Sequence, residues 1–80
     1  MDEVGKVTHY YGKIGVAIIA LSGGLKVGDR IKIQSAHGES EETVDSMEVD
    51  HASVAEAKRG DVIGLKVSGK APEGAKVFKL

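Results

Sequence analysis

The stretch Arg59-Gly60-Asp61-Val62-Ile63-Gly64-Leu65-Lys66-Val67, RGDVIGLKV, decides the fold. Ile63, Leu65 and Val67 alternate with Val62, Gly64 and Lys66, which is the period of a half-buried strand and not of a helix. The first three are expected in the core, with Gly64 and Lys66 on the outer face. Gly60 meets the turn that launches the strand, and this explains Arg59-Gly60-Asp61 without invoking an integrin-type ligand.

The same logic extends in both directions. Arg30 to Gln34, RIKIQ, alternates polar and apolar after a Val27-Gly28-Asp29 turn. Val16 to Leu21 is apolar, partly β-branched and too short for a helix, so it reads as a buried strand. Val4 to Tyr11 is a first strand, and Gly12-Lys13-Ile14-Gly15 supplies a hairpin with glycine for positive φ. Ser22 to Gly24 is a break, and Ala36 to Glu42, polar and containing Gly38, reads as a loop. Thr43 to His51 reads as one strand with Met47 and Val49 inward; Val44 breaks its alternation and predicts a bulge or a switch of face. Ser53 to Lys58 allows one helical turn at most. Ala71 to Gly74 is a turn, and Ala75 to Leu80 closes the chain. Five or six antiparallel strands at this spacing predict an all-β fold, a small closed antiparallel β-barrel formed by residues 1–80 as a single domain.

Composition narrows the function. The 80 residues contain no cysteine, which excludes disulfides, thiolate metal sites and a cysteine nucleophile and fits a reducing, cytoplasmic setting. The longest apolar run is too short to span a bilayer, and the acidic start, MDEVGK, is not a secretory signal. A net charge of −1 argues against strong sequence-blind binding to phosphate backbones. Charge is nonetheless uneven: residues 39–50 hold six acids and no Lys or Arg, whereas residues 58–80 hold six bases and two acids. No phosphate loop, nucleophile elbow or metal-ligand spacing is present. His9, His37 and His51 are scattered, Asp50-His51 reads as an exposed turn and not a metal site, and Glu41-Glu42 sits where nothing would tune a carboxyl for acid–base work. No catalytic residue, cofactor or metal is expected, and the chain is not expected to be an enzyme.

The runs GGLKVGDRIKI, ETVDSMEVDH, VAEAKRGDVIGLKV and EGAKVFKL, in this order and spacing, resemble the second, β-barrel domain of translational GTPases such as elongation factor Tu and initiation factor two. The chain is also similar to stand-alone elongation-factor-like small proteins and to the C-terminal barrel of collagenase-like peptidases. Leu25 to Asp29 and Ala57 to Leu65 carry most of the likeness, which runs from Val4 to Leu80. The nucleotide-binding domain of those GTPases has no counterpart, so no GTP binding is expected.

The resemblance implies a surface that holds the aminoacylated end of tRNA, lined by a glutamate, an aromatic and an arginine. Glu48 falls on the glutamate, while Asp50 and His51 replace the ring and the cation. A second candidate surface is His9-Tyr10-Tyr11-Gly12-Lys13, which contains two of the three aromatic residues of the Phe/Tyr/Trp type. Neighbouring strand residues point to opposite faces, so one of Tyr10 and Tyr11 should cover the core and the other be displayed for stacking. The sequence thus predicts a non-catalytic binding module with contacts at His9, Tyr10, Tyr11, Lys13, Glu48 and His51. Its expected partner is RNA or the ribosome; the alternative is a protein, such as a peptidase-like enzyme.

Overall fold

The computed structural model describes residues 2–36, 38–69 and 71–80; His37 therefore lies outside the described residues. Ten strands follow one another: β1 (Asp2–Tyr11), β2 (Val16–Leu21), β3 (Leu25–Lys26), β4 (Arg30–Ser35), β5 (Gly38–Thr43), β6 (Met47–Val49), β7 (Ala52–Val54), β8 (Glu56–Ala57), β9 (Val62–Lys66) and β10 (Lys76–Lys79). Eight form one antiparallel sheet in the order β5-β4-β10-β1-β2-β9-β6-β7, and β3 pairs with β8 in a separate ribbon.

The β2–β9 ladder organises the core. Its register sets Ala17 opposite Leu65 and Ile19 opposite Ile63, all four fully buried, while Ile18 and Gly64 face each other on the outside. Val7, Ile31, Val44, Met47 and Val77 are the other large side chains buried as completely. β1 crosses this ladder closely. A Cβ on Gly5 would meet Ile19 Cγ2 at 2.7 Å and the Ala20 carbonyl oxygen at 3.0 Å, so any side chain there would force the strands apart. The register shifts on both sides of this crossing, between Glu3 and Gly5 and between Val7 and His9.

The two runs that carry most of the resemblance share one turn. In Lys26-Val27-Gly28-Asp29, the Asp29 amide donates to the Lys26 carbonyl (3.1 Å) and the Lys26 amide to Asp29 Oδ2 (3.0 Å). In Lys58-Arg59-Gly60-Asp61 the equivalent distances are 3.0 and 3.0 Å. Gly28 and Gly60 take φ of 99° and 94°, where a Cβ would be strained. Each turn delivers the chain into a core strand, β4 in one case and β9 in the other.

The sheet curls without a continuous closing ladder. Glu42 on β5 spans part of the seam: its carboxylate accepts from the Ser68 amide (2.7 Å), the Ser68 hydroxyl (2.9 Å) and the Gly69 amide (3.4 Å). This barrel-like wall is closed in part by side chains, where a fully closed barrel would use backbone pairing throughout.

Four local expectations are corrected. Residues 38–42, part of the stretch read as loop over 36–42, belong with Thr43 to β5, which is paired with β4 at the edge of the sheet. Its polar composition hides it, since Arg30 pairs with Glu41 (3.2 Å) and Thr43 (2.9 Å), Lys32 with Glu39 (3.8 Å) and Gln34 with Glu39 (2.8 Å). Charged cross-strand partners of this kind suit an edge strand. Val44 is not a bulge; it lies beyond β5, buried, with its backbone tied to Gly28 and Asp29. The strand expected over 43–51 is split: Thr43 ends β5, residues 47–49 form β6, and Asp50 and His51 form a two-residue turn with φ of 52° and 65°. The helical turn expected over 53–58 is replaced by the end of β7 and by β8.

Because Leu65 is fully enclosed at the centre of the main ladder, Leu65→Ala should remove about 2–4 kcal/mol of stability, with a matching fall in the urea midpoint. An unchanged midpoint would contradict this packing.

Candidate binding groove

Two hairpin ends meet on the outer face of β2 and β9. The β1–β2 turn is pinned where the Ile14 and Gly15 amides donate to the Tyr11 carbonyl at 3.2 and 2.9 Å. The β6–β7 turn is Asp50-His51. Neither residue is glycine, yet a two-residue hairpin of right-handed twist needs positive φ at both positions, which Asp and His tolerate better than most side chains. Between these ends lies a groove of about 390 Å³ whose lining includes Tyr11, Val16, Ile18, Glu48, Asp50 and Val62.

Register explains its shape. Ile18, Gly64 and Glu48 sit side by side across β2, β9 and β6. Gly64 has no side chain, so a gap one residue wide opens between an aliphatic wall and a carboxylate. A Cβ at Gly64 would touch Ile18 Cδ1 and Val16 Cγ1 at 3.7 Å, which is ordinary contact, so the space is open and not enforced by crowding. Tyr11, Ile14 and Val62, 48%, 64% and 54% exposed, all border this gap, while Val27 and Leu80 are the other exposed large hydrophobic residues among those described. Three of the five exposed large hydrophobic residues among those described therefore gather at this one groove. Among the described residues, no Lys or Arg lines the groove, whereas Glu48, Asp50 and His51 do.

The sequence candidates divide between two faces. Tyr11 is displayed, its ring 5.4 Å from that of His9. His9 stands at the margin, with Nδ1 3.6 Å from Glu73 Oε2. Tyr10 points the other way: it packs on the core, its hydroxyl donates to the Gly69 carbonyl (3.2 Å), and it lines a second recess of about 590 Å³ with Ile33, Ser35 and Pro72. That recess is larger but has a structural ring as a wall. Lys13 is exposed in the turn and does not line the groove. The structure thus joins Tyr11 to Glu48 and His51, which the sequence leaves as separate candidates. Gly64, Val62 and Ile18 are the contributors that sequence reasoning missed; an isolated glycine inside a strand pattern was the available signal. Among the described residues, no group of three His, Asp or Glu side chains could hold a metal ion, and no helix is long and apolar enough to cross a membrane.

Comparison with known proteins gives three findings. The family described as elongation factor Tu domain 2 matches residues 16–77. Over 79 residues the chain is 40% identical to an uncharacterized protease of Methanocaldococcus jannaschii; the match takes in 98% of this chain and 19% of that protein, so the chain spans about a fifth of its relative's length. Two crystal structures of the C-terminal domain of a putative U32 peptidase from Geobacillus thermoleovorans, one the selenomethionine variant, superpose with a TM-score of 0.93. They cover 99% of this chain and 100% and 92% of theirs at 13% identity, a likeness of fold.

The opposite orientations of the two tyrosines give a direct test. Tyr10→Ala should lower stability by about 2–4 kcal/mol, through lost packing on the core, while Tyr11→Ala should stay within about 0.5 kcal/mol of the parent. Thermal unfolding of both variants checks this, and equal losses would contradict the assignment of faces.

Proposed function

This chain belongs to the elongation factor Tu domain 2 family, and from that premise and the groove we propose that it is a non-catalytic accessory domain of a peptidase-like protein, where it docks protein substrate. One observation carries the reading: nearly the whole chain matches, at 40% identity, a fraction of a protein described as a protease. The groove supports it. Apolar surface edged by carboxylates suits a polypeptide, whereas a phosphate-bearing ligand would meet Glu48 and Asp50 with His51 beside them but no Lys or Arg among the described lining residues. Catalysis by the domain itself lacks a cysteine and any nucleophile motif in the sequence. We place the protein in the cytoplasm on the strength of its cysteine-free composition.

A role in translation has one observation in its favour, the family match itself. Fold alone does not transfer function, and Asp50 and His51 stand where the resemblance calls for an aromatic and an arginine.

Deleting the corresponding domain from the full-length Methanocaldococcus jannaschii protein tests the proposal. KM for an unfolded protein substrate should rise while kcat stays within about twofold, the pattern expected when uniform binding is removed. Lost kcat at constant KM would assign the domain to the chemistry. An unchanged KM with lost tRNA or ribosome co-sedimentation would return the domain to RNA.

A further inference from the structure

The gap above Gly64 has the dimensions and polarity of one kind of side chain. Its walls change character across a single strand: Ile18 and Val16 on β2 and Val62 on β9 are aliphatic, and Glu48 on β6 with Asp50 in the adjoining turn is anionic. The Tyr11 ring, with its centroid 5.4 Å from that of His9, borders the apolar end. An aliphatic side chain would leave the two carboxylates unmatched. A carboxylate or phosphate would be repelled by them. A long stem ending in a cation satisfies both walls at once, because its methylenes can lie on apolar surface while its head remains with the acids.

We propose that the groove takes the side chain of an arginine or lysine presented by an extended protein segment. The stem crosses Gly64 against Ile18 and Val62, and the head donates to Glu48 and Asp50. Arginine is favoured over lysine, since its planar guanidinium can donate two parallel N–H groups to a carboxylate. This inference rests on the substrate-docking reading and names its chemistry.

Two features distinguish the arrangement from incidental surface acidity. No ion pair to Glu48 or Asp50 occurs among the described residues, although Arg30, Lys32 and Lys79 are all paired with acids on the β4–β5 side of the molecule or at its entry turn. The acids also sit beside the largest grouping of exposed apolar side chains among the described residues. Lys66, on the outer face opposite Val16, and Lys13 in the first turn lie outside the lining and do not occupy the gap.

The test uses the 80-residue chain and the fluorescein-labelled peptide Ser-Gly-Arg-Val-Gly-Ser, with a second peptide carrying citrulline for arginine, identical in shape but uncharged. The arginine peptide should bind about tenfold more tightly, because its charged guanidinium donates to carboxylates where citrulline offers a neutral group. Glu48→Gln with Asp50→Asn removes both charges while keeping a side chain that tolerates the positive φ at position 50; it should abolish the preference for arginine. Gly64→Val fills the gap without the crowding that would unfold the strand, and should eliminate binding of both peptides at an unchanged or raised denaturation midpoint. Equal binding of the citrulline peptide, or arginine preference surviving the double substitution, would overturn the proposal. So would displacement of the peptide by a hexamer of uridylate at the same concentration. The accessory role is judged separately, by the KM of the domain-deleted protease: peptides that fail to bind leave that measurement standing.

Discussion

The pairing of β2 with β9 is the constraint on which the rest of the molecule depends. In one register it buries Ala17, Ile19, Ile63 and Leu65 on one side of the sheet and sets Ile18 against Gly64 on the other. A slip by one residue would invert every side chain of β9, placing Gly64 and Lys66 inside and exposing Ile63 and Leu65. The pattern that fills the core is therefore the same pattern that opens the groove. β1 locks the register from the opposite edge, and it can do so only because Gly5 allows its backbone to approach Ile19.

Much of this was legible in the sequence because it rests on period-two burial. Ile63, Leu65 and Val67 are buried as their alternation requires, and the opposed fates of Tyr10 and Tyr11 follow from adjacency alone. The two Lys-x-Gly-Asp turns were legible as turns, though their shared bonding pattern was not. β5 was hidden because its stability comes from ion pairs and polar cross-strand contacts with β4, which look like loop composition in one dimension. The Asp50-His51 turn was hidden because it lacks glycine, so a continuous strand looked permissible through it. Missing that turn also kept His51 and Tyr11 apart in the sequence reading, since their proximity depends on β6 folding back on β7.

The fold and the groove answer different questions. Membership of the elongation factor Tu domain 2 family explains the strand order, the glycine turns and the open outer face. It does not dictate what that face carries. Here the outer face of β2 and β9 carries aliphatic side chains at the groove, Tyr11 at the end of β1 borders them, and β6 with its turn carries acids. Fold alone does not choose the ligand, and among the described residues the charged lining of this gap is Glu48, Asp50 and His51, with no Lys or Arg.

The most direct test is amide chemical-shift mapping of the isotopically labelled chain during titration with an arginine-containing peptide. The account predicts shifts concentrated on Tyr11, Ile18, Glu48, Asp50 and Gly64, with the Tyr10 recess around Ile33 and Pro72 unmoved. Shifts centred on that recess, or a groove that responds to single-stranded RNA and not to the peptide, would contradict it.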